Sequence, residues 1–251
     1  MTLQGTPCWY ELCTMDAGAA RGFYGPLLGW TFQDAGMEGF DYGLATKDGA
    51  MIAGLMTPDS PMPEFWMVYF AVDHCDHLVA KAKALGANVH RAPEDIPGTG
   101  RFAILADPQG AAFGLLQPED GTPGHAFDQA RTGHGNWLEL HSSDPEAGFQ
   151  FYAALFGWSA TDAMDMGPDG KYQLFAHDGR DIGGMMGMLG VEGAPPHWLP
   201  YFGVPGIDAA TAGITSLGGK VLHGPVEVPG GAWITMASDP RGAGFAVVGP
   251  R

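Results

Sequence analysis

Basic side chains are scarce: 12 Lys and Arg stand against 28 Asp and Glu, a formal net charge of −16 at pH 7. Phosphate is held by clustered Lys and Arg, and no such cluster occurs, so nucleic acid is a poor candidate partner and polyanionic substrates are disfavoured. Neither half differs. Up to residue 124 there are 15 acids and 6 bases, net −9, and beyond it 13 acids and 6 bases, net −7. Cysteine is also sparse. Cys8, Cys13 and Cys75 are odd in number and show no Cys-x-x-Cys spacing, which speaks against a disulfide framework and a structural zinc site. No apolar run approaches the roughly 18 to 20 residues of a membrane helix. The start Met1-Thr2-Leu3-Gln4-Gly5 lacks a basic region followed by an apolar core. No membrane role is expected, and the expected compartment is the cytoplasm. Gly-x-Ser-x-Gly and HExxH patterns are missing, and Pro97-Gly98-Thr99-Gly100-Arg101 precedes no helix, so it is not a nucleotide loop.

What the chain has is apolar material, 45% of 251 residues, enough for one large domain or two domains of about 125 residues. The 40 Gly and 20 Pro are dispersed and read as tight turns. Internal similarity decides the domain count. Trp9-Tyr10-Glu11-Leu12 recurs as Trp137-Leu138-Glu139-Leu140, and Phe23-Tyr24 with Leu27-Leu28-Gly29-Trp30 recurs as Phe151-Tyr152 with Leu155-Phe156-Gly157-Trp158, all 128 residues apart. Asp48-Gly49 matches Asp178-Gly179 at 130, and Tyr69-Phe70, Leu85-Gly86, Pro97-Gly98 and Asp107-Pro108 recur at 132. The glycine-rich and proline-rich stretch between the repeats is the linker. Two domains are expected, at 1–118 and 135–251, joined by 119–134.

Each half in turn reads as strand, helix and several short strands, twice over. Residues 8–14 alternate as a strand, Asp16 is placed to cap a helix ending at Gly29, and Asp144-Pro145 opens the equivalent helix of the third quarter. Asp48-Gly49 and Asp178-Gly179 mark hairpins. In the second and fourth quarters Asp76 and Asp208 are the expected caps. Strands are expected near 87–91 and 220–223. The fold class is α+β, with four βαβββ units.

Four such units, with Phe-Tyr and Leu-Gly-Trp in the first helix and Asp-Pro-x-Gly before the last strand, resemble the vicinal oxygen chelate superfamily, the glyoxalase, bleomycin-resistance and extradiol-dioxygenase group. The resemblance implies two glyoxalase-like half-barrel domains, each with a concave face for a small molecule, and in the family's enzymes a divalent metal polarising two substrate oxygens. Counted from the Phe-Tyr pair, the family's ligand positions fall on Trp9, Met67 and Gly114, and on Trp137, Leu199 and Ala246. None is a usual metal donor, so the expected cofactor is none, with divalent metal disfavoured.

Strand alternation places Trp9, Glu11 and Cys13 on one face in the first half and Trp137, Glu139 and His141 in the second. A buried carboxylate without a partner costs several kcal/mol, so the repeated Glu is either satisfied by backbone or Arg groups, or serves a cationic or hydrogen-bond-donating ligand, or acts as a base. Trp9 and Trp137 are candidates for stacking a flat aromatic or cationic molecule. Trp66 and Trp198 are further ligand-binding candidates, although aromatic and Met stripes such as Tyr69, Met51, Met185 and Met186 are more often core. Glu139, His141 and Glu11 are the catalytic candidates. Asp73-His74-Cys75-Asp76-His77 resembles a metal site only in composition, because its side chains leave a strand end and helix start in different directions.

The leading expectation is a protein that binds or sequesters a small organic molecule, as a monomer or homodimer. The alternatives are a lyase, isomerase or dioxygenase-type enzyme using Glu139 and His141 or a relocated metal site, or an interaction module.

Overall fold

In the computed structural model, which describes residues 3–36, 41–188 and 194–251, local signals become helices where the caps lie. The Asp16 carboxylate accepts the Ala19 N–H at 2.9 Å and opens α1 (Ala17–Leu28), which Gly29 closes in the left-handed conformation at φ 69°. Asp144 and Gly157 do the same for α3 (Pro145–Phe156). The other two helices differ from expectation. α2 (Cys75–Ala84) starts at His74 and α4 (Ile207–Ser216) at Gly206, neither with a side-chain cap. Asp76 and Asp208 lie inside the first turn, where a carboxylate still meets the positive end of the helix dipole.

The first half contributes β1 (Thr6–Cys13), β2 (Thr31–Asp34), β3 (Tyr42–Lys47), β4 (Ala50–Met56), β5 (Phe65–Ala71), β6 (Asn88–Ile96), β7 (Gly100–Ala106) and β8 (Ala112–Pro118). The second contributes β9 (Gly135–Ser142), β10 (Ser159–Asp165), β11 (Lys171–His177), β12 (Arg180–Gly187), β13 (His197–Gly203), β14 (Lys220–Glu227), β15 (Trp233–Ser238) and β16 (Gly244–Gly249). One eight-stranded sheet runs β2-β3-β4-β1-β5-β8-β7-β6, and the other repeats it as β10-β11-β12-β9-β13-β16-β15-β14. These are the glyoxalase-like half-barrel sheets, each built from two βαβββ units. Within each unit the first strand pairs parallel to the last, as Tyr10 opposite Ala53 and Tyr69 opposite Gly114. Both Asp-Gly pairs turn as expected, with positive φ at Asp48, Gly49, Asp178 and Gly179.

β6 and β14 run past the lengths read from sequence, continuing through Pro93 and Pro225. Both are edge strands, and each Pro sits at a register shift, between Arg91 and Glu94 and between His223 and Val226, where no ladder N–H is needed. No helix among the described residues is long and apolar enough to cross a membrane.

The chain packs as two compact units: residues 1–8, 68–123 and 138–198 in one, and 9–67, 124–137 and 199–251 in the other. The second and third βαβββ repeats thus share one core, and the first and fourth share the other. Each core is aromatic and contains one buried polar chain. In the first unit, Trp198 Nε1 donates to the Tyr152 hydroxyl at 3.0 Å, which donates to Asp107 Oδ2 at 3.1 Å, while Asp107 Oδ1 accepts the N–H groups of Gln109, Gly110 and Ala111. The second unit repeats it: Trp66 Nε1 donates to Tyr24 OH at 2.9 Å, Tyr24 OH donates to Asp239 Oδ2 at 3.1 Å, and Asp239 Oδ1 accepts the N–H groups of Arg241 and Ala243. The Asp-Pro turns are therefore more than hairpin connections.

Candidate functional site

Glu11 is 8% exposed on β1, and its Oε2 accepts the Tyr42 hydroxyl at 2.7 Å. Tyr42 OH in turn accepts the Trp9 indole N–H at 3.1 Å, so indole, phenol and carboxylate form one directed chain. Tyr42 crosses β4 because Gly54 has no side chain, and a Cβ there would land on the phenol hydroxyl. Burial holds the Tyr42 phenol well above its ordinary range, and the Glu11 charge adds to it. The buried Cys13 thiol is raised strongly for the same two reasons, in the same order. At neutral pH the phenol and thiol keep their protons.

The second half keeps the carboxylate and changes its neighbours. Glu139 Oε1 lies 2.7 Å from His141 Nε2, and both side chains are almost fully buried. The contact lies off the N–H direction of the ring, so neither nitrogen of His141 has an aligned hydrogen bond. His197, at the start of β13, stacks on His141 with ring centroids 4.9 Å apart and an interplanar angle of 12°. His197 keeps a solvent-exposed edge, and its Nδ1 lies 3.0 Å from the Pro195 carbonyl. Crowding on its other side holds this imidazole below its ordinary value, against the opposing effect of that carbonyl. The first half has Cys13 and Phe65 at the positions of His141 and His197. Tyr172 repeats Tyr42, its ring filling the space where Gly184 has no Cβ.

Three of the positions that correspond to family metal ligands come together in one apolar cluster. Leu199 and Ala246 are buried with Tyr201, and Trp137, Ile234, Met236 and Val248 pack against them. In the first half the space beside Gly114 is filled by the Tyr69 ring. Indole, thioether, aliphatic and glycine positions do not fit a hard divalent ion. Among the described residues no group of three or more His, Cys, Asp and Glu is arranged to hold a metal. In the 73–77 cluster, the Asp73 N–H bonds Gln4 and Asp76 binds Arg101. Cys75 is buried, with its thiol pushed up to about 11, chiefly by desolvation. A cleft of about 430 Å³ includes His74, His77 and Lys81 in its lining, but none of the carboxylate-face residues.

Of the residues singled out from sequence, Trp9 and Glu11 meet through Tyr42, and Glu139 meets His141. Trp66 and Trp198 lie instead in the aromatic cores, 4% and 3% exposed, with their N–H groups committed to Tyr24 and Tyr152. Sequence reasoning missed Tyr42, Tyr172 and His197. The two tyrosines carried a signal, since they recur at the 130 spacing just before each Asp-Gly hairpin, as do Gly54 and Gly184 after it. His197 carried none, because nothing in the first half repeats it.

The fold and these faces define a tandem protein of four βαβββ units. The profile of the Glyoxalase/Bleomycin resistance protein/Dioxygenase superfamily matches residues 8–115 and 134–247, and the chain belongs to that family. It is 34% identical over 253 residues to "Putative glyoxylase CFP32" of Mycobacterium tuberculosis, covering 98% of this chain and 95% of the relative. It is also 34% identical over 263 residues to the anthracycline biosynthesis protein DnrV of Streptomyces peucetius, covering 97% and 93%. Among solved structures, the Mn(II)-bound glyoxalase of Novosphingobium aromaticivorans superposes with a TM-score of 0.71 at 17% identity, covering 99% of this chain and 83% of that one. The 2,2',3-trihydroxybiphenyl 1,2-dioxygenase of Sphingomonas wittichii gives 0.71 at 14% identity, covering 99% and 90%. At these identities the likeness concerns the fold alone.

Proposed function

We propose that this protein binds a flat, hydroxylated aromatic molecule on its carboxylate-bearing sheet faces without using a metal ion. The observation that carries this reading is the apolar cluster in which the half-buried Trp137, Ile234 and Met236 pack over the buried Leu199, Tyr201 and Ala246, so that an indole and aliphatic side chains stand where a metalloenzyme of the family would need donors. Glu11 and Glu139 add fixed hydrogen-bond acceptors, so ligand hydroxyl or amino groups are preferred over anions, in keeping with the net charge of −16. Trp9 offers a half-buried indole whose polar edge is already occupied by Tyr42, leaving its face for stacking. Anthracyclines, for whose biosynthesis the DnrV relative is named, are planar polycyclic aromatics bearing phenolic hydroxyls, which is the same chemistry.

Titration with 1,4-dihydroxyanthraquinone, followed by quenching of tryptophan fluorescence, tests the proposal. Saturable quenching is expected, undiminished by prior dialysis against EDTA and weakened by Trp9→Ala or Trp137→Ala. Affinity unchanged in both variants, or a stoichiometric divalent metal in the purified protein on which binding depends, would overturn it.

A further inference from the structure

We propose that His141 is a proton acceptor for the bound ligand, so that the second-half face holds a phenolic aromatic as its phenolate; this rests on the binding proposed above. His141 is 3% exposed, yet neither ring nitrogen has an aligned hydrogen-bond partner. Leaving a buried polar atom unsatisfied is costly; Nε2 still lies 2.7 Å from the Glu139 carboxylate, whereas Nδ1, across the ring, has among the described residues neither an aligned hydrogen bond nor a charged neighbour in contact. A hydrogen-bonding group of the ligand satisfies it.

The surroundings determine which kind of group that is. His197 covers one face of the His141 ring in a nearly parallel stack, and an imidazole nitrogen takes a hydrogen bond only in its own plane, so the approach is edge-on. An O–H in the plane of a flat aromatic ring suits that direction. In the transfer, the ligand O–H bond breaks with its electron pair left on oxygen, and an N–H bond forms at Nδ1. The resulting imidazolium lies between the phenolate and the Glu139 carboxylate 2.7 Å from Nε2, and the total charge of the site is unchanged. No oxidant, reductant or metal enters the balance.

The two halves then differ in role. The first half has the Cys13 thiol and Phe65 where the second has His141 and His197. Burial there keeps the Cys13 thiol protonated, so the first half offers a hydrogen-bond acceptor at Glu11 but no imidazole to take up a ligand proton. His197 is a positioning residue. Phe at that place preserves a planar stacking partner.

The same dye tests the step in the native protein, because 1,4-dihydroxyanthraquinone shifts its visible absorption to long wavelength on ionisation. At a pH well below that at which the free dye ionises, binding to the native protein is expected to bring up the long-wavelength band. His141→Gln is expected to abolish the band and weaken binding roughly 10- to 100-fold, the effect of losing a charge-assisted hydrogen bond. His197→Phe should keep the band. Fluorescence quenching without a band shift in the native protein overturns this proposal while leaving the binding reading intact. No quenching overturns both. A band that persists in His141→Gln removes His141 from the step.

Discussion

The buried Trp198–Tyr152–Asp107 chain offers a sharp test of what holds one compact unit together. Tyr152→Phe removes a single oxygen and keeps the ring, which packs against Phe70, Phe113 and Trp198. The loss leaves the Trp198 N–H and Asp107 Oδ2 without the partner that served both, at 3.0 and 3.1 Å. Each orphaned buried group costs about 1–3 kcal/mol, so a destabilisation of about 2–6 kcal/mol is expected. Acid should reduce it. Burial holds the Asp107 carboxyl above its ordinary value, and the Tyr152 hydroxyl and the three backbone N–H groups pull it down. A folded value above the unfolded one means the folded protein binds the proton more tightly. The stability this carboxyl contributes is therefore fully present below the unfolded value and is lost as pH rises through the folded one. Tyr152 offsets that loss by favouring the carboxylate, so its deletion should cost more at pH 7 than near pH 4. Urea unfolding followed by far-UV circular dichroism at both pH values measures this. A cost below about 0.5 kcal/mol at pH 7, or a cost larger in acid, would refute the account of the chain as a charge-stabilising relay.

Other perturbations follow the same logic. Gly184→Ala places a methyl on the Tyr172 ring and should reduce dye binding, whereas Gly206→Ala, where a Cβ meets nothing within 4 Å, should leave it unchanged; titration of both variants decides. The buried Cys8, Cys13 and Cys75, all with thiols raised by desolvation, should resist iodoacetamide at pH 8 in the native protein. All three should react once urea is added, as counted by intact mass. Arg101→Ala breaks exposed ion pairs to Asp76 and Asp95, and its effect on Tm should disappear in high salt.

Helix ends, hairpins and the fourfold repeat were legible in the sequence because their causes are local. An Asp before an apolar pair four apart, an Asp-Gly between alternating runs, and a Gly after a helix act within a few residues of themselves. Where another local choice competed, the reading slipped, as with Asp76 and Asp208, which sit in the first turn of their helices rather than at the cap, and with the prolines that hid the length of β6 and β14. The carboxylate faces were half legible: alternation put Glu11 beside Trp9 and Glu139 beside His141, but not Tyr42 between the first pair or His197 over the second.

By itself the sequence determined four βαβββ units, the faces of their first strands and the lack of donors at the ligand positions, since all of these depend on period, turn chemistry and residue type. Only the tertiary structure decided that the second repeat packs with the third and the first with the fourth, and that Tyr24 reaches Asp239 and Tyr152 reaches Asp107. Such partners are joined across 215 and 45 residues of chain, and no local preference distinguishes them from the alternatives. What selects them is the fit of buried rings and the requirement that each buried polar atom find its complement.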